Sequence, residues 1–294
     1  MSDESARFIK DNKATLESQV IAWRRSFHAC PETGTHEIET SRRIARALDE
    51  MGIEYRRVEG LRPADARGER DSFIGTGIIA TIRGTAPGAY DEYGTPARRV
   101  ALRADIDGLA VHEETGLSFA SENEGFMHAC GHDAHIAMML GAAKLLSQMT
   151  DYLKGEVRII FQPAEEISTG ARDMIAAGAL EGVDAIYGAH IWSEVETGKV
   201  SIQPGPRMAS TDWFRVDITG ESAHGSMPDK GTDAIVIGAE MVTSMQLLVS
   251  REASPFDPVV VTVGEFHGGT ARNIMAGSAY FTGTVRTWNP KTRA

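Results

Sequence analysis

The sequence predicts an α/β fold: a mostly parallel sheet with flanking helices, followed by a smaller α+β unit. Three observations carry this expectation. Three short apolar runs, "RVALRA" (99–104), "EVRIIFQ" (156–162) and "VDAIYGA" (183–189), read as covered strands. Amphipathic helical patterns separate them, as the crossovers between parallel strands require. After about Gly198 the order changes to strand, helix, strand, strand, which suggests half or more of a ferredoxin-like sandwich.

Taken in order, the opening stretch reads as helix up to Phe27, and Pro31 stops it. "EIETSRRIARALDEMG" is a second helix with Ile44, Leu48 and Met51 on one face and Gly52 as its stop. "HIAMMLGAAKLLSQM" aligns Ile136, Met139, Leu140, Ala143 and Leu146, and "GARDMIAAGAL" is a shorter helix. In the second unit, "TDWFRVDITGESAHGS" begins with strand-like alternation. "TDAIVIGAEMVTSMQLLVSR" is a long amphipathic helix, and "PVVVTVGEFHGG" and "AYFTGTVRTW" are strands. "NPKTRA" announces a further helix, with Asn289 as cap and Pro290 in the first turn. The expected division is 1–198 and 199–294.

Composition narrows the function classes. The 294 residues are 42% hydrophobic and 24% charged, ordinary for a globular protein. A net charge of −11 without a basic block argues against a nucleic-acid surface or an anionic membrane partner. No apolar run approaches the ~18 residues of a membrane span. The polar start "MSDESARFIKDNK" is not a signal peptide, so a cytoplasmic location is expected. Two cysteines, Cys30 and Cys130, make no disulfide framework and leave Cys130 free to act as a thiolate.

The chemistry gathers at strand ends. "MHACGHDAH" (127–135) holds three of the nine histidines and one of the two cysteines. A Cys-x-His pair such as Cys130 and His132 can present sulfur and nitrogen to one metal; alone it is more often a buried thiol beside a capping histidine. The first strand is followed by Asp105 and Asp107, the second by Pro163, Glu165 and Glu166, and the third by His190. Sites in open α/β sheets form outside the carboxyl ends of the strands, so these groups converge on one edge. Paired acids are usually solvated charge. After an apolar strand and a proline, one can hold a metal while its neighbour faces an activated water. Either Asp105 or Asp107 could orient a ligating histidine or hold a metal. His224, between small residues, is by itself more often structural. A thiol-hydrolase reading would make Cys130 a nucleophile but leaves "PAEE" and His190 without a role. A structural zinc knot normally uses four Cys/His ligands in close pairs, which mixed acids at strand ends do not fit.

"ALRADIDGLAVHEETG", "MHACGHDAHIAMMLGAA", "FQPAEE…GARDMIAAG", "GAHIW" and "VTVGEFHGGTARNIMAGSAYFTGTVRT" resemble, in order and spacing, the aminoacylase and hippurate-hydrolase branch of the dinuclear metallopeptidases, from "WRRSFHACPE" onward. The resemblance implies a zinc-peptidase-like catalytic domain (first segment, 1–198) and a lid and dimerisation domain (199–294). It also implies two divalent ions, zinc or manganese. Cys130 would bridge them, His132 and Glu166 would complete one, and His190 would bind the other. Glu165 would be the general base, and Asp107 would stand behind the ligands. His224 would reach into a partner's site to stabilise the oxyanion, and Asn273 would help hold the substrate carboxylate. The implied reaction is hydrolysis of N-acyl-amino acids, such as hippurate or N-acetyl conjugates, by a metal-activated water in a homodimer. Ala110 stands where the family usually has proline. A final metal-binding histidine, the end of the lid and the returning catalytic segment are absent, so the expectation includes a C-terminal truncation. The alternative is a catalytically weak or inactive remnant.

Overall fold

The computed structural model describes residues 3–58, 60–61, 72–73 and 75–294. Its contacts divide into two compact units, Met1–Thr197 and Gly198–Ala294.

The first unit opens with helix α1 (Asp3–His28) and helix α2 (Ile38–Glu50); Met1 and Ser2 lie outside the described residues. Glu32 starts α2: its carboxylate accepts the Glu39 N–H at 3.1 Å and the Thr40 N–H at 2.8 Å, satisfying first-turn amides where negative charge is favoured. Gly52 ends it in the left-handed region, at φ 66°. Strands β1 (Glu54–Arg57), β2 (Ile78–Arg83), β3 (Arg99–Asp105), β4 (Glu156–Gln162) and β5 (Ala185–Gly188) form one sheet in the order β1-β2-β4-β3-β5. Between them come helices α3 (His132–Ser147) and α4 (Gly170–Ala176).

The three strands expected from sequence are mutually parallel, with Asp105 opposite Gln162 and Arg103 opposite Gly188. β1 and β2 join antiparallel, so the sheet as a whole is mixed. Sequence reasoning missed both. β1 is four residues with three of them exposed, which erases the apolar signal; β2 is a legible apolar run, but nothing chemical follows it. Alternation sorts the side chains. Ile78, Ala80, Ile82, Ile159 and Phe161 meet Ile44, Leu48, Ile136 and Leu140 on one face. Ile79, Ala101 and Ile160 meet Met174 and Ala179 on the other. Burying a side chain of this size contributes roughly 1.5–3 kcal/mol. α1 is tied to α3 by His28 Nδ1 at 2.7 Å from Asp133 Oδ2.

The second unit comprises strand β6 (Ser210–Thr219), helix α5 (Ala234–Leu247), strands β7 (Val259–Gly268) and β8 (Ser278–Thr287), and helix α6 (Pro290–Arg293). The sheet order is β7-β8-β6, antiparallel throughout. Phe214, Val216, Ile218, Ala279 and Phe281 pack under α5. Asp233 caps α5 by accepting the Ile235 N–H at 2.9 Å. Asn289 caps α6 the same way, accepting the Lys291 N–H at 3.0 Å. A π-helical turn, Leu248–Glu252, continues α5. The combined helix Ala234–Glu252 is long and apolar enough to cross a membrane by length and composition. That corrects the expectation that no stretch approaches this length. Glu240 and polar residues interrupt the run in sequence, and only the helical continuity through the π turn extends it. Its Ala234 and Gly238 are buried, and Phe266 and Ile218 lie where a Gly238 side chain would have to go.

Candidate metal centre

Each parallel strand delivers polar groups to the same edge. Asp105 is the last residue of β3. Its Oδ1 lies 2.5 Å from His135 Nδ1, and its Oδ2 accepts Arg103 Nη1 at 2.7 Å. Arg103 Nε donates to Gln162 Oε1 at 2.9 Å, fastening β3 to β4. Burial opposes ionisation of Asp105, but the His135 hydrogen bond and the charges of His132 and Arg103 outweigh it and hold the carboxyl well below the usual range. Asp107, two residues on, is also buried. His132 Nδ1 donates to the Asp107 carbonyl at 2.9 Å and to its Oδ1 at 3.2 Å. Oδ2 accepts the Glu166 N–H at 3.0 Å. One aspartate therefore sets both an imidazole and the turn that carries the acids.

The "HACGHD" loop enters α3 through Gly131, at φ 84°. His132 is the first helical residue, and its Nδ1–H is used behind it. Among the described residues its Nε2 has no hydrogen-bond partner, and neither has Glu166 Oε1, although both atoms are buried. They face each other at 3.8 Å. Two unpaired buried polar atoms aimed at one point are costly, and a cation between them removes that cost. Burial works against a charged His132, but its bonds to Asp107, the neighbouring Cys130 sulfur and the charge of Asp105 push its pKa up to about 11. The same excess of negative charge would favour a divalent ion at Nε2 in place of a proton.

Cys130 Sγ lies 3.4 Å from His190 Nε2. His190 Nδ1 donates to the Ile191 carbonyl at 2.5 Å, which leaves the Nε2 lone pair facing the sulfur. Among the described residues three groups have donor atoms within 4.8 Å of one another: Cys130, His132 and His190; His132, Glu165 and Glu166; and Asp105, His132 and His135. His132 belongs to all three. Thiolate, imidazole and carboxylate together suit zinc and tolerate manganese, so these residues fit the implied ions.

The "PAEE" turn is held from below. Ala164 sits fully buried in the left-handed region at φ 52°, uncommon for a residue with a Cβ. Its N–H donates at 2.7 Å to Glu37 Oε1, and Thr76 Oγ1 donates at 2.8 Å to Glu37 Oε2. Burial pushes the Glu37 carboxyl up to about 7. Glu165 is half-buried; burial and then the charge of Glu166 raise its pKa above the ordinary value.

Of the residues predicted from sequence, Cys130, His132, Glu165, Glu166, His190 and Asp107 come together at this edge. His224 and Asn273 lie in the second unit, as neighbours of each other. His224 pairs in register with Ile274, and the Gly225 N–H donates to the Asn273 carbonyl at 2.8 Å. His224 Nδ1 accepts the Ser226 N–H at 3.2 Å, which puts the ring proton on Nε2. Sequence reasoning gave no role to His135 or Glu37. His135 is three residues after His132 on a helix, hence on the same side, which was the available signal; Glu37 offered none. His128 is buried with neither ring nitrogen hydrogen-bonded among the described residues, and burial lowers its pKa to about 4.

Comparison with known proteins places the chain in a family. The model of peptidase family M20/M25/M40 matches residues 101–286. An N-acyl-L-amino acid amidohydrolase of Geobacillus stearothermophilus is 42% identical over 95% of this chain and 69% of its own length. An N-acetyl-L-cysteine deacetylase of Bacillus subtilis is 40% identical over 96% of this chain and 62% of its own. A solved Bacillus subtilis structure, described as a dinuclear metal binding peptidase from the M20 family, superposes with a TM-score of 0.72 at 36% identity, covering 95% of this chain and 67% of that one. The chain thus spans about two thirds of the length of these relatives.

Proposed function

The chain belongs to peptidase family M20/M25/M40, and from that premise we propose that it is a metal-dependent amidohydrolase that releases amino acids from N-acyl-amino acids. The observation that carries this reading is the pair of buried, unpartnered atoms His132 Nε2 and Glu166 Oε1 beside the facing Cys130 and His190. The named activities of the two relatives support the substrate class.

In this reading two divalent ions, zinc or manganese, supply Lewis acidity and lower the pKa of water. Cys130, His132 and Glu166 would hold one ion, and Cys130 and His190 would hold the other. Asp107 keeps the His132 ring and the Glu166 turn in place. Glu165, whose raised pKa brings it toward neutrality, accepts a proton from the attacking water. It then passes that proton to the departing amine nitrogen. His224, with its Nε2–H available, donates to the oxyanion of a second protomer's substrate, and Asn273 holds the substrate carboxylate. The first unit is the catalytic one, and the second a lid through which two copies pair. Exposed apolar residues on α5, Val236 at 61% and Leu247 at 54%, support pairing there. A reducing cytoplasm suits a site that needs a free Cys130 thiolate.

The test is amino-acid release from N-acetyl-amino acids and hippurate by the protein carrying this chain, stripped of metal and then reloaded with zinc or manganese. Release that returns with metal is expected. Equal release after stripping, or an acyl-thioester trapped on Cys130, would refute the reading.

A further inference from the structure

We propose that His135 is a positioning residue that holds the His190 loop in place by accepting the backbone N–H of Ile191 in a tautomer fixed by Asp105. The consequence for metal binding rests on the role proposed above for His190; the tautomer itself does not.

Residues 189–200 form neither helix nor strand, so β5 alone does not fix where His190 points. Its ring is exposed, and its Nδ1 bonds only to the next residue's carbonyl, which moves with the same loop. Besides the contact of its Nε2 with Cys130 Sγ, the backbone link to rigid structure is the Ile191 N–H, which donates to His135 Nε2 at 3.0 Å. His135 is buried on α3, and its ring meets the His190 ring edge-on with centroids 4.6 Å apart.

A ring nitrogen that accepts an N–H carries no proton, so the His135 proton is on Nδ1. Asp105 Oδ1 accepts it there at 2.5 Å, and Asp105 is in turn held by Arg103 at 2.7 Å. With the proton on Nε2 instead, two N–H groups would point at each other and Ile191 would lose its acceptor. Both His135 nitrogens are therefore occupied. Although the residue lies within ligand distance of Asp105 and His132, it offers no lone pair to a metal. Its contribution is to carry the rigidity of α3 and β3 into the loop after β5.

The experiment uses the full chain. Selective ¹⁵N-histidine NMR of the metal-free protein should show His135 protonated at Nδ1 and bare at Nε2; a protonated Nε2 overturns the proposal. His135→Phe keeps the ring shape but removes the acceptor, whereas His135→Gln restores an acceptor oxygen. Cobalt(II) affinity, measured by competition with a chromophoric chelator, should fall ~10–100-fold in the Phe variant, the usual range for residues supporting a metal ligand, and recover within a few-fold in the Gln variant. In a His190→Ala background the Phe change should cost nothing further; a full additional loss there overturns the proposal, as does parental affinity in the single variant. Should the Phe variant fail to fold by circular dichroism, Ile191→Pro removes the donor instead, and unchanged cobalt affinity in that protein is the overturning result. If the parent binds no cobalt at all, the metal reading fails separately, and the tautomer spectrum still decides what His135 does.

Discussion

At the residue scale, two adjacent glutamates are held differently. Glu166 is fixed through its backbone by Asp107. Glu165 is left half-buried with a raised pKa. Glu165→Gln should keep metal stoichiometry while lowering turnover by ~10²–10⁴-fold, since a carboxamide accepts no proton from water; near-parental turnover would place the base elsewhere. Cys130→Ser should weaken metal binding, because a hydroxyl is a far poorer ligand than thiolate at neutral pH. Loss of the thiolate-to-cobalt absorption band together with affinity is the expected result. Glu37 gives a prediction in pH. Its folded pKa of about 7 exceeds the ordinary 4.5. Between those values the folded chain keeps a proton that the unfolded chain has lost, so this group's contribution to stability falls as pH rises through that window. Glu37→Gln does not titrate and can still accept from Ala164 and donate to Thr76. Its stability relative to the parent should therefore rise from about pH 5 to about pH 8 by up to ~3 kcal/mol in urea titrations. A pH-independent difference would remove Glu37 from the account.

At the element scale, the site depends on how α3 begins. Gly131 caps it at φ 84°, and a Cβ there would stand 2.2 Å from Ile191 Cδ1. Gly131→Ala therefore combines backbone strain with a collision against the His190 loop. The expected outcome is a loss of metal affinity larger than the loss of stability, compared by cobalt titration and urea midpoint. An alanine variant that binds metal like the parent would show that the loop has room to shift. The parallel trio β3, β4 and β5 matters for the same reason. Register places Asp105 beside Gln162, so Arg103 reaches both and stiffens the edge from which the ligands project.

At the scale of the whole molecule, two units with separate cores follow one another along the chain. The second leaves much of α5 and the π turn after it uncovered: Val236, Leu247 and Leu248 are 61%, 54% and 49% exposed. If two copies pair through this unit, Val236→Glu with Leu247→Glu should convert a sedimenting dimer into a monomer without altering the metal content of the first unit. A parent that sediments as a monomer at all accessible concentrations would end the dimer proposal.

Much of this was legible in the amino-acid sequence, for a physical reason. Periodicity exposes elements, and Pro, Gly, Asn289 and other caps mark their ends, so α1, α2, α3, the parallel strands and the β-α-β-β order all followed from local pattern. The gathering of acids, thiol and imidazole at one edge was legible too, because they follow the ends of the parallel strands or open the helix beside them. Burial and long-range pairing were not legible. Nothing local distinguishes Glu37 from a solvated glutamate; only folding sets it 127 residues away against the Ala164 amide. Nothing local gives the His135 tautomer, which depends on a β3 carboxylate and a backbone amide after β5. Sequence fixes which groups can be present and on which element, because propensity and period act over a few residues. Tertiary structure decides which lone pairs remain unpaired and aimed at one point, because that depends on contacts between elements far apart in the chain.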